Sequence, residues 1–102
     1  KDIKRTYKEI HRVLKAKGFF FSKVWGTKTQ GFQRGIKLEK NTFRDINIGP
    51  CKNLGISHFF TLNELTDLNS IFSNNTIDIN NYTDKKISKN YFAQVYISQS
   101  IK

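Results

Sequence analysis

Methionine is absent from this sequence, and cysteine and proline occur once each. The single cysteine, Cys51, excludes an internal disulfide and fits a reducing cytoplasm, where we expect a buried free thiol. No apolar run approaches the roughly 18 residues of a membrane span, and no signal-peptide pattern is visible. The sequence therefore predicts a cytoplasmic protein without a membrane segment.

Metal and nucleophile chemistry also lack their usual residue patterns. One cysteine and two distant histidines, His11 and His58, offer no metal-ligand spacing. No nucleophile elbow and no Ser-His-Asp or Cys-His motif is present. We therefore expect neither a metal site nor a triad enzyme.

The residues that are present fit one folded domain with a basic surface. Of 102 residues, 37% are hydrophobic, and nine phenylalanines together with the isoleucines must form the core. The formal net charge is +10, and residues 53–82 contain no lysine or arginine. This charge suits a solvated lysine-rich surface, which we favour, or a phosphate-binding surface. Because the chain begins at Lys1, we also expect it to be a piece of a longer protein.

Residues 2–16 have the period of an amphipathic helix, with an apolar stripe on one face and lysines and arginines on the other. Gly18 is expected to end this helix by adopting a positive φ. We expect Asp2 and Glu9 to be surface charges and His11, beside the apolar stripe, to be structural.

Four residues mark the start of a second helix, predicted over residues 62–72. Thr61 and Glu64 have the spacing of a capping box, in which each side chain satisfies a free backbone N–H. Phe60 and Leu65 are placed for a hydrophobic staple across the same turn.

Three segments have strand character: residues 19–25, 76–82 and 90–98. The first and the last are apolar on both faces, which predicts strands covered on both sides, the last one central with helices on either side. This order indicates an α/β layered fold. Residues 26–58 are glycine-rich and basic, and we expect an ordered lid with a short hairpin near residues 35–43.

Three stretches carry a family resemblance. Residues 9–15 read E-I-H-R-V-L-K, residues 39–43 read E-K-N-T-F, and residues 55–65 read G-I-S-H-F-F-T-L-N-E-L. Together they resemble the C-terminal half of a class I S-adenosylmethionine-dependent methyltransferase. There, a helix ending in E-hydrophobic-x-R-V-L-K-P-G-G precedes a bacterial lid pattern, E-x-N-T-F and then G-x-x-H-F-F-T-x-x-E-L. Ala16 and Lys17 depart from the helix-end pattern.

The resemblance implies the C-terminal part of a Rossmann-like α/β fold with helices packed on the sheet. The three strand segments would be strands five, six and seven in the order 5-7-6, with strand seven central and antiparallel. The chain would be a single partial domain. Residues 1–25 would supply a helix and strand five, residues 26–58 the lid on the acceptor side, and residues 59–102 a helix and the last two strands.

The resemblance also implies how the chemistry is divided. The family binds S-adenosylmethionine through a Gly-rich turn after its first strand and an acidic residue after its second, and this sequence has no such glycine cluster. The cofactor would therefore be bound by a missing N-terminal half, the partner of this chain. The chain alone would be inactive and would supply the lid and the side that faces an unknown methyl acceptor.

Six residues are candidates for the acceptor side, one at the end of the first strand and five on the lid: Trp25, Glu39, Asn41, Thr42, His58 and Phe59. His58 would be a general base or, as we favour, a residue that hydrogen-bonds a loop. Trp25 has equal claims as a core and a pocket residue. Asn41 and Thr42 have the alternative of a turn, and Phe59 of packing. No catalytic residue is assigned.

Two rival functions stay open. One is a small basic nucleic-acid-binding module, because residues 17–24 have a weak likeness to the aromatic strand of RNA-recognition motifs. We do not expect nucleic acid as a partner, since that match is poor. The other is a non-catalytic fragment that forms a homodimer through the exposed aromatic edge of its first strand.

Overall fold

The computed structural model describes residues 3–87 and 89–102, so the predicted surface charge at Asp2 lies outside the described residues. The helices and strands of the described chain follow in the order α1 (Ile3–Val13), β1 (Phe19–Trp25), β2 (Ile36–Glu39), β3 (Thr42–Arg44), β4 (Ile56–His58), α2 (Leu62–Asn69), β5 (Asn74–Thr83) and β6 (Phe92–Ile101).

The first sheet has the strand order β1-β6-β5, and β6 is antiparallel to both neighbours. Tyr96 of β6 lies opposite Val24 of β1 and Ile79 of β5. The central, antiparallel position of the last strand is therefore as predicted from the sequence.

The second sheet is built by the segment predicted as a lid. Its order is β2-β3-β4, again antiparallel, and the predicted hairpin is confirmed as β2 and β3. Asn41 makes the turn between them with a φ of 58°, in the left-handed region that asparagine tolerates. This segment is thus a small sheet and not a long loop.

The Rossmann-like α/β fold class is wrong for the described chain. The structure is a small, mostly-strand protein with two antiparallel three-stranded sheets and two short helices. Both helices pack on one face of the first sheet, where a buried cluster contains Tyr7, Phe60, Leu65, Phe72 and Tyr96. The expectation of helices on both sides is therefore also wrong.

The error comes from the two apolar faces of β1. Phe20 and Val24 point to the helices and pack against the buried cluster. Phe19 and Phe21 point to the other face, where they are 57% and 55% exposed. An apolar side chain in a strand can be buried, but it is buried only if a second element packs on its face. No helix of the described residues packs on the face that carries Phe19 and Phe21.

The second sheet joins the first at the C-terminal end of β1. The Phe60 N–H donates to the carbonyl oxygen of Trp25 at 2.8 Å, and the Thr27 N–H donates to that of Phe60 at 3.1 Å. A second buried cluster lies there, with Trp25 and Phe32 packed against Phe43, Ile46, Cys51 and Phe59. The chain thus enters α2 alongside the end of β1.

Both helices end earlier than predicted, at Val13 and Asn69. Lys17 has the positive φ, 64°, that was expected of Gly18. Gly18 serves a different purpose, because a Cβ at this position would lie 2.6 Å from the carbonyl oxygen of Lys15. Within residues 3–87 and 89–102, no helix has the length and apolar character needed to cross a membrane.

Candidate functional site

His58, the last residue of β4, is held at both ring nitrogens. Its Nδ1 lies 2.6 Å from Oγ1 of Thr42 on β3, directly opposite in the strand register. Its Nε2 lies 3.0 Å from each carboxylate oxygen of Glu64 in the first turn of α2. The hydrogen-bonded side chains of Thr42, His58 and Glu64 therefore fix the second sheet to the start of α2.

The start of α2 has the predicted N-cap, but only half of the predicted capping box. Thr61 is the N-cap, and its side chain accepts the N–H of Glu64 at 3.1 Å. Phe60 and Leu65 lie in the same buried cluster, consistent with a hydrophobic staple. The Glu64 carboxylate bonds His58 and not the Thr61 N–H, so the reciprocal bond of the capping box is replaced by a contact with the site.

The His58 ring is mostly shielded, with its side chain 16% exposed, and the ring of Phe60 lies edge-on at a centroid distance of 4.6 Å. The Thr42 hydroxyl also lies 3.3 Å from the carbonyl oxygen of Lys40. A neutral ring accepts a hydrogen bond from the Thr42 hydroxyl at Nδ1. A protonated ring donates a hydrogen bond from Nδ1 to the Thr42 oxygen, and the hydroxyl then donates to the carbonyl oxygen of Lys40. Both charge states of His58 are thus accommodated.

These bonds decide what His58 can do chemically. A general base needs a nitrogen lone pair within reach of the proton it removes. Since Thr42 and Glu64 occupy both ring nitrogens, His58 would have to give up one partner to act as a base. The geometry therefore favours a positioning role for His58.

A cavity of about 430 Å³ lies beside this chain of side chains, and its lining residues are Ile3, Lys4, Glu39, Lys40, Asn41, His58, Thr61, Glu64, Asp67 and Leu68. The walls come from α1, the β2–β3 turn, the end of β4 and α2. Three carboxylates and two ammonium groups line it, so the cavity suits a small polar ligand.

Three of the predicted site residues line this cavity and a fourth supports it. Glu39, Asn41 and His58 are in the wall. Thr42 is buried behind His58. The Asn41 carbonyl accepts the N–H of Phe59 at 2.8 Å, which joins the two lid stretches. That these residues bind an acceptor stays a prediction.

Trp25 and Phe59 lie elsewhere. Phe59 is fully buried in the second cluster, with its ring centroid 5.5 Å from that of Phe32. Trp25 is half-buried against the same cluster and lines a separate cavity of about 240 Å³ with Lys23, Val24 and Val95. Neither lines the cavity beside His58.

Sequence reasoning missed Lys4, Glu64 and Asp67 as residues of the site. Glu64 has a sequence signal, since it lies one turn into a helix that starts just after His58, but the capping-box pattern predicted a bond to the Thr61 N–H instead. Lys4 comes from a helix more than fifty residues away in sequence. No local pattern places Lys4 beside His58.

Cys51 and the metal-binding residue types offer no further site. Burial raises the pKa of the Cys51 thiol, and a hydrogen bond with Ser57 opposes this in part. A raised pKa keeps the thiol protonated and unreactive. Among residues 3–87 and 89–102, no three His, Cys, Asp or Glu residues are grouped to bind a metal ion.

No protein-family model matches this chain, and no curated protein matches it. The likeness to methyltransferases therefore stays a prediction from three stretches of sequence. Two of those stretches, residues 39–43 and 55–65, meet at the cavity beside His58.

Proposed function

We propose that this chain is the acceptor-side part of an S-adenosylmethionine-dependent methyltransferase, with the cofactor bound by polypeptide outside these 102 residues. The proposal does not depend on a Rossmann-like fold. It rests on the sequence resemblance and on the cavity beside His58. The methyl acceptor is a small polar molecule, and the protein acts in the cytoplasm, as its lone cysteine suggests.

One observation carries the proposal. The stretches E-x-N-T-F and G-x-x-H-F-F-T-x-x-E-L are separated in the chain, yet both contribute to one cavity, through Glu39 and Asn41 from the first and His58, Thr61 and Glu64 from the second. Thr42 and His58 join the stretches by a side-chain hydrogen bond. The two stretches have the residue spacing of the methyltransferase lid, and their residues meet at one cavity. This supports the same use of the site in this chain as in that family.

The chain's own residues do not fit the cofactor. The family's cofactor turn runs from a strand through glycines into a helix, whereas β1 runs into a turn at Gly26 that is fixed on β6. The Gly26 N–H donates to the carbonyl oxygen of Gln94 at 2.7 Å, and the Thr29 hydroxyl donates to the same oxygen at 3.0 Å. No step of methyl transfer is therefore assigned to these residues.

What this chain supplies is orientation. Methyl transfer needs an acceptor atom aligned with the methyl group, and fixed positioning accounts for a large part of the rate in such reactions. Thr42 and Glu64 hold the His58 ring in one orientation at the cavity wall. His58 thus presents a defined surface to the acceptor without itself removing a proton.

The test uses the complete polypeptide that contains this sequence. Methyl release from S-adenosylmethionine is measured with a fraction of small polar metabolites as acceptors, for the wild type, His58→Gln and the control His11→Gln. His11 packs edge-on against Phe72, away from the cavity. We expect His58→Gln to lower kcat/KM for the acceptor about tenfold or more, with unchanged cofactor affinity.

Two results would contradict the proposal. One is a complete polypeptide that does not bind S-adenosylmethionine. The other is saturable cofactor binding of ordinary affinity by residues 1–102 alone, measured by titration calorimetry, because the cofactor site would then lie in this chain.

A second candidate function, self-association, is favoured by the exposed aromatic residues at the outer edge of β1. The Trp25 carbonyl accepts a hydrogen bond from Phe60, on the side of β1 away from β6, whereas the Gly26 N–H donates to Gln94 of β6. Alternate residues of β1 therefore direct their backbone N–H and C=O groups to its outer edge. Phe19 and Phe21 lie at this edge, more than half exposed. Such an edge is a template for a second copy of the same strand.

Light scattering at high protein concentration tests self-association. We expect a dimer for the wild type and a monomer for Phe21→Lys, with Tyr82→Lys as the matched control. Tyr82 is an exposed aromatic residue on the same face, in the opposite edge strand. A monomeric wild type would contradict the dimer. If that monomer bound single-stranded RNA with a steep salt dependence, the face would instead be a nucleic-acid platform.

A further inference from the structure

A second cavity, of about 500 Å³, lies where β1 leaves the first sheet and β6 enters it. Its lining residues are Thr27, Lys28, Thr29, Gln30, Gly31, Phe32, Arg34, Ile48, Asn90 and Phe92. None of its residues lines the cavity beside His58. It is therefore a separate feature that the proposed function does not use.

The charge of this cavity is of one sign. Lys28 and Arg34 line it, and within the described part of the chain no carboxylate does. The cavity beside His58 contains three carboxylates, so the contrast is not a consequence of the basic composition alone. Two cations in a concave site attract an anion, and a guanidinium group is suited to two oxygens of one phosphate.

A half-buried amide side chain also lines this cavity. The Gln30 Oε1 atom is buried and has no hydrogen-bond partner among the described residues. A buried polar atom without a partner costs free energy unless a ligand or a water satisfies it. The same amide carries an N–H₂ group, which can donate to a phosphate oxygen.

The walls of the cavity are held in place before any ligand binds. The Thr29 hydroxyl accepts the Gln94 N–H at 3.0 Å, and the Lys28 N–H donates to Oε1 of Gln94 at 3.2 Å. Gly31 has a φ of 104°, and a Cβ on it would lie 2.6 Å from the carbonyl oxygen of Ile48. The segment that contains Lys28 and Arg34 thus packs closely on the backbone at Ile48. Because this segment is already held in place, less conformational entropy is lost when a ligand binds.

We infer that this cavity binds a phosphate group of a small molecule, with Arg34 and Lys28 as the charged contacts and Gln30 as a neutral one. A small ligand is favoured over a polynucleotide because both cations line one concave volume of about 500 Å³. The inference stands independently of methyl transfer, since it uses none of the residues around His58.

The test follows backbone amide NMR signals during titration with inorganic phosphate and with glycerol phosphate, for the wild type, Arg34→Gln and Lys28→Gln. The matched control is Lys37→Gln, an exposed cation on β2 that does not line the cavity. We expect saturable shifts in residues 27–34 and a loss of affinity of about tenfold in Arg34→Gln, with little change in Lys37→Gln.

Two outcomes would overturn the inference. One is the absence of saturable shifts in residues 27–34, or an equal effect of Arg34→Gln and Lys37→Gln, which would indicate attraction by net charge only. The other comes from titration with a single-stranded oligonucleotide. If it binds far more tightly than either phosphate, and Lys37→Gln weakens it as much as Arg34→Gln, the ligand is a polynucleotide and the cavity is not a small-molecule site.

Discussion

The Nε2 atom of His58 lies 3.0 Å from both carboxylate oxygens of Glu64, which joins the last residue of β4 to the first turn of α2. Only five residues separate the two positions, and the helix cap at Thr61 lies between them. The bond therefore closes a short turn whose shape the cap already defines, and it aims the histidine at the cavity.

The first prediction concerns the protonation site of the neutral His58 ring. Glu64 accepts a proton at Nε2 and the Thr42 hydroxyl donates at Nδ1, so the neutral ring carries its hydrogen on Nε2. Long-range nitrogen–proton correlation spectra should show this tautomer. In Glu64→Leu the preference should weaken, and a wild-type ring protonated at Nδ1 would contradict the arrangement.

The second prediction concerns Thr42→Val, which removes the hydroxyl and keeps the β-branched shape. Thr42 is 4% exposed, so Nδ1 of His58 loses its partner in a shielded place. We expect the free energy of unfolding to fall by about 1–3 kcal/mol. Thr66→Val, at an exposed position of α2, is the control and should change it by about 0.5 kcal/mol or less. Chemical denaturation measures both, and equal effects would count against the bond.

The third prediction tests the staple under α2. Leu65 is fully buried between the helices and the first sheet, whereas Leu62, one turn away, is 42% exposed. Leu65→Ala should cost about 2–5 kcal/mol because it leaves a cavity in the core. Leu62→Ala should cost far less, about 0.5 kcal/mol. Thermal unfolding of the two variants distinguishes them, and a similar loss in both would show that α2 packs differently.

The fourth prediction concerns alkaline pH. Burial raises the pKa of the Cys51 thiol in the folded protein. The unfolded thiol loses its proton from about pH 8.5, so above that pH the folded state binds more protons than the unfolded state. Its stability should therefore fall as pH rises through this range.

Melting temperatures of the wild type and Cys51→Ala between neutral pH and pH 10 measure this effect. The variant is less stable at every pH because it leaves a cavity, but its melting temperature should decrease less steeply above about pH 8.5. Parallel curves would show that Cys51 doesn't contribute to the alkaline loss.

Local features of this chain followed from its sequence because they depend on neighbouring residues. The cap at Thr61, the staple of Phe60 and Leu65 and the hairpin turn at Asn41 each involve residues within a few positions of one another. Their free energies are local, so spacing alone predicts them. The bounds of β1 at residues 19–25 were predicted for the same reason.

The candidate site was only partly predictable. His58 and Asn41 were identified from the lid stretches, and both line the cavity. Phe59, from the same stretch, points into the core instead, because neighbouring residues in an extended segment alternate between faces. Lys4 and Asp67 have no local signal, since they reach the cavity only through the packing of α1 and α2.

The amino-acid sequence by itself determined where α2 begins, the three strand segments of the first sheet, and that the last strand is central. Only the tertiary structure decided which faces are covered. Phe20 is packed under the helices and Phe21 is exposed, although they are adjacent and chemically identical. The physical reason is that a strand's alternation sets the direction of each side chain, whereas burial depends on a second element reaching that side, which residues distant in the chain decide.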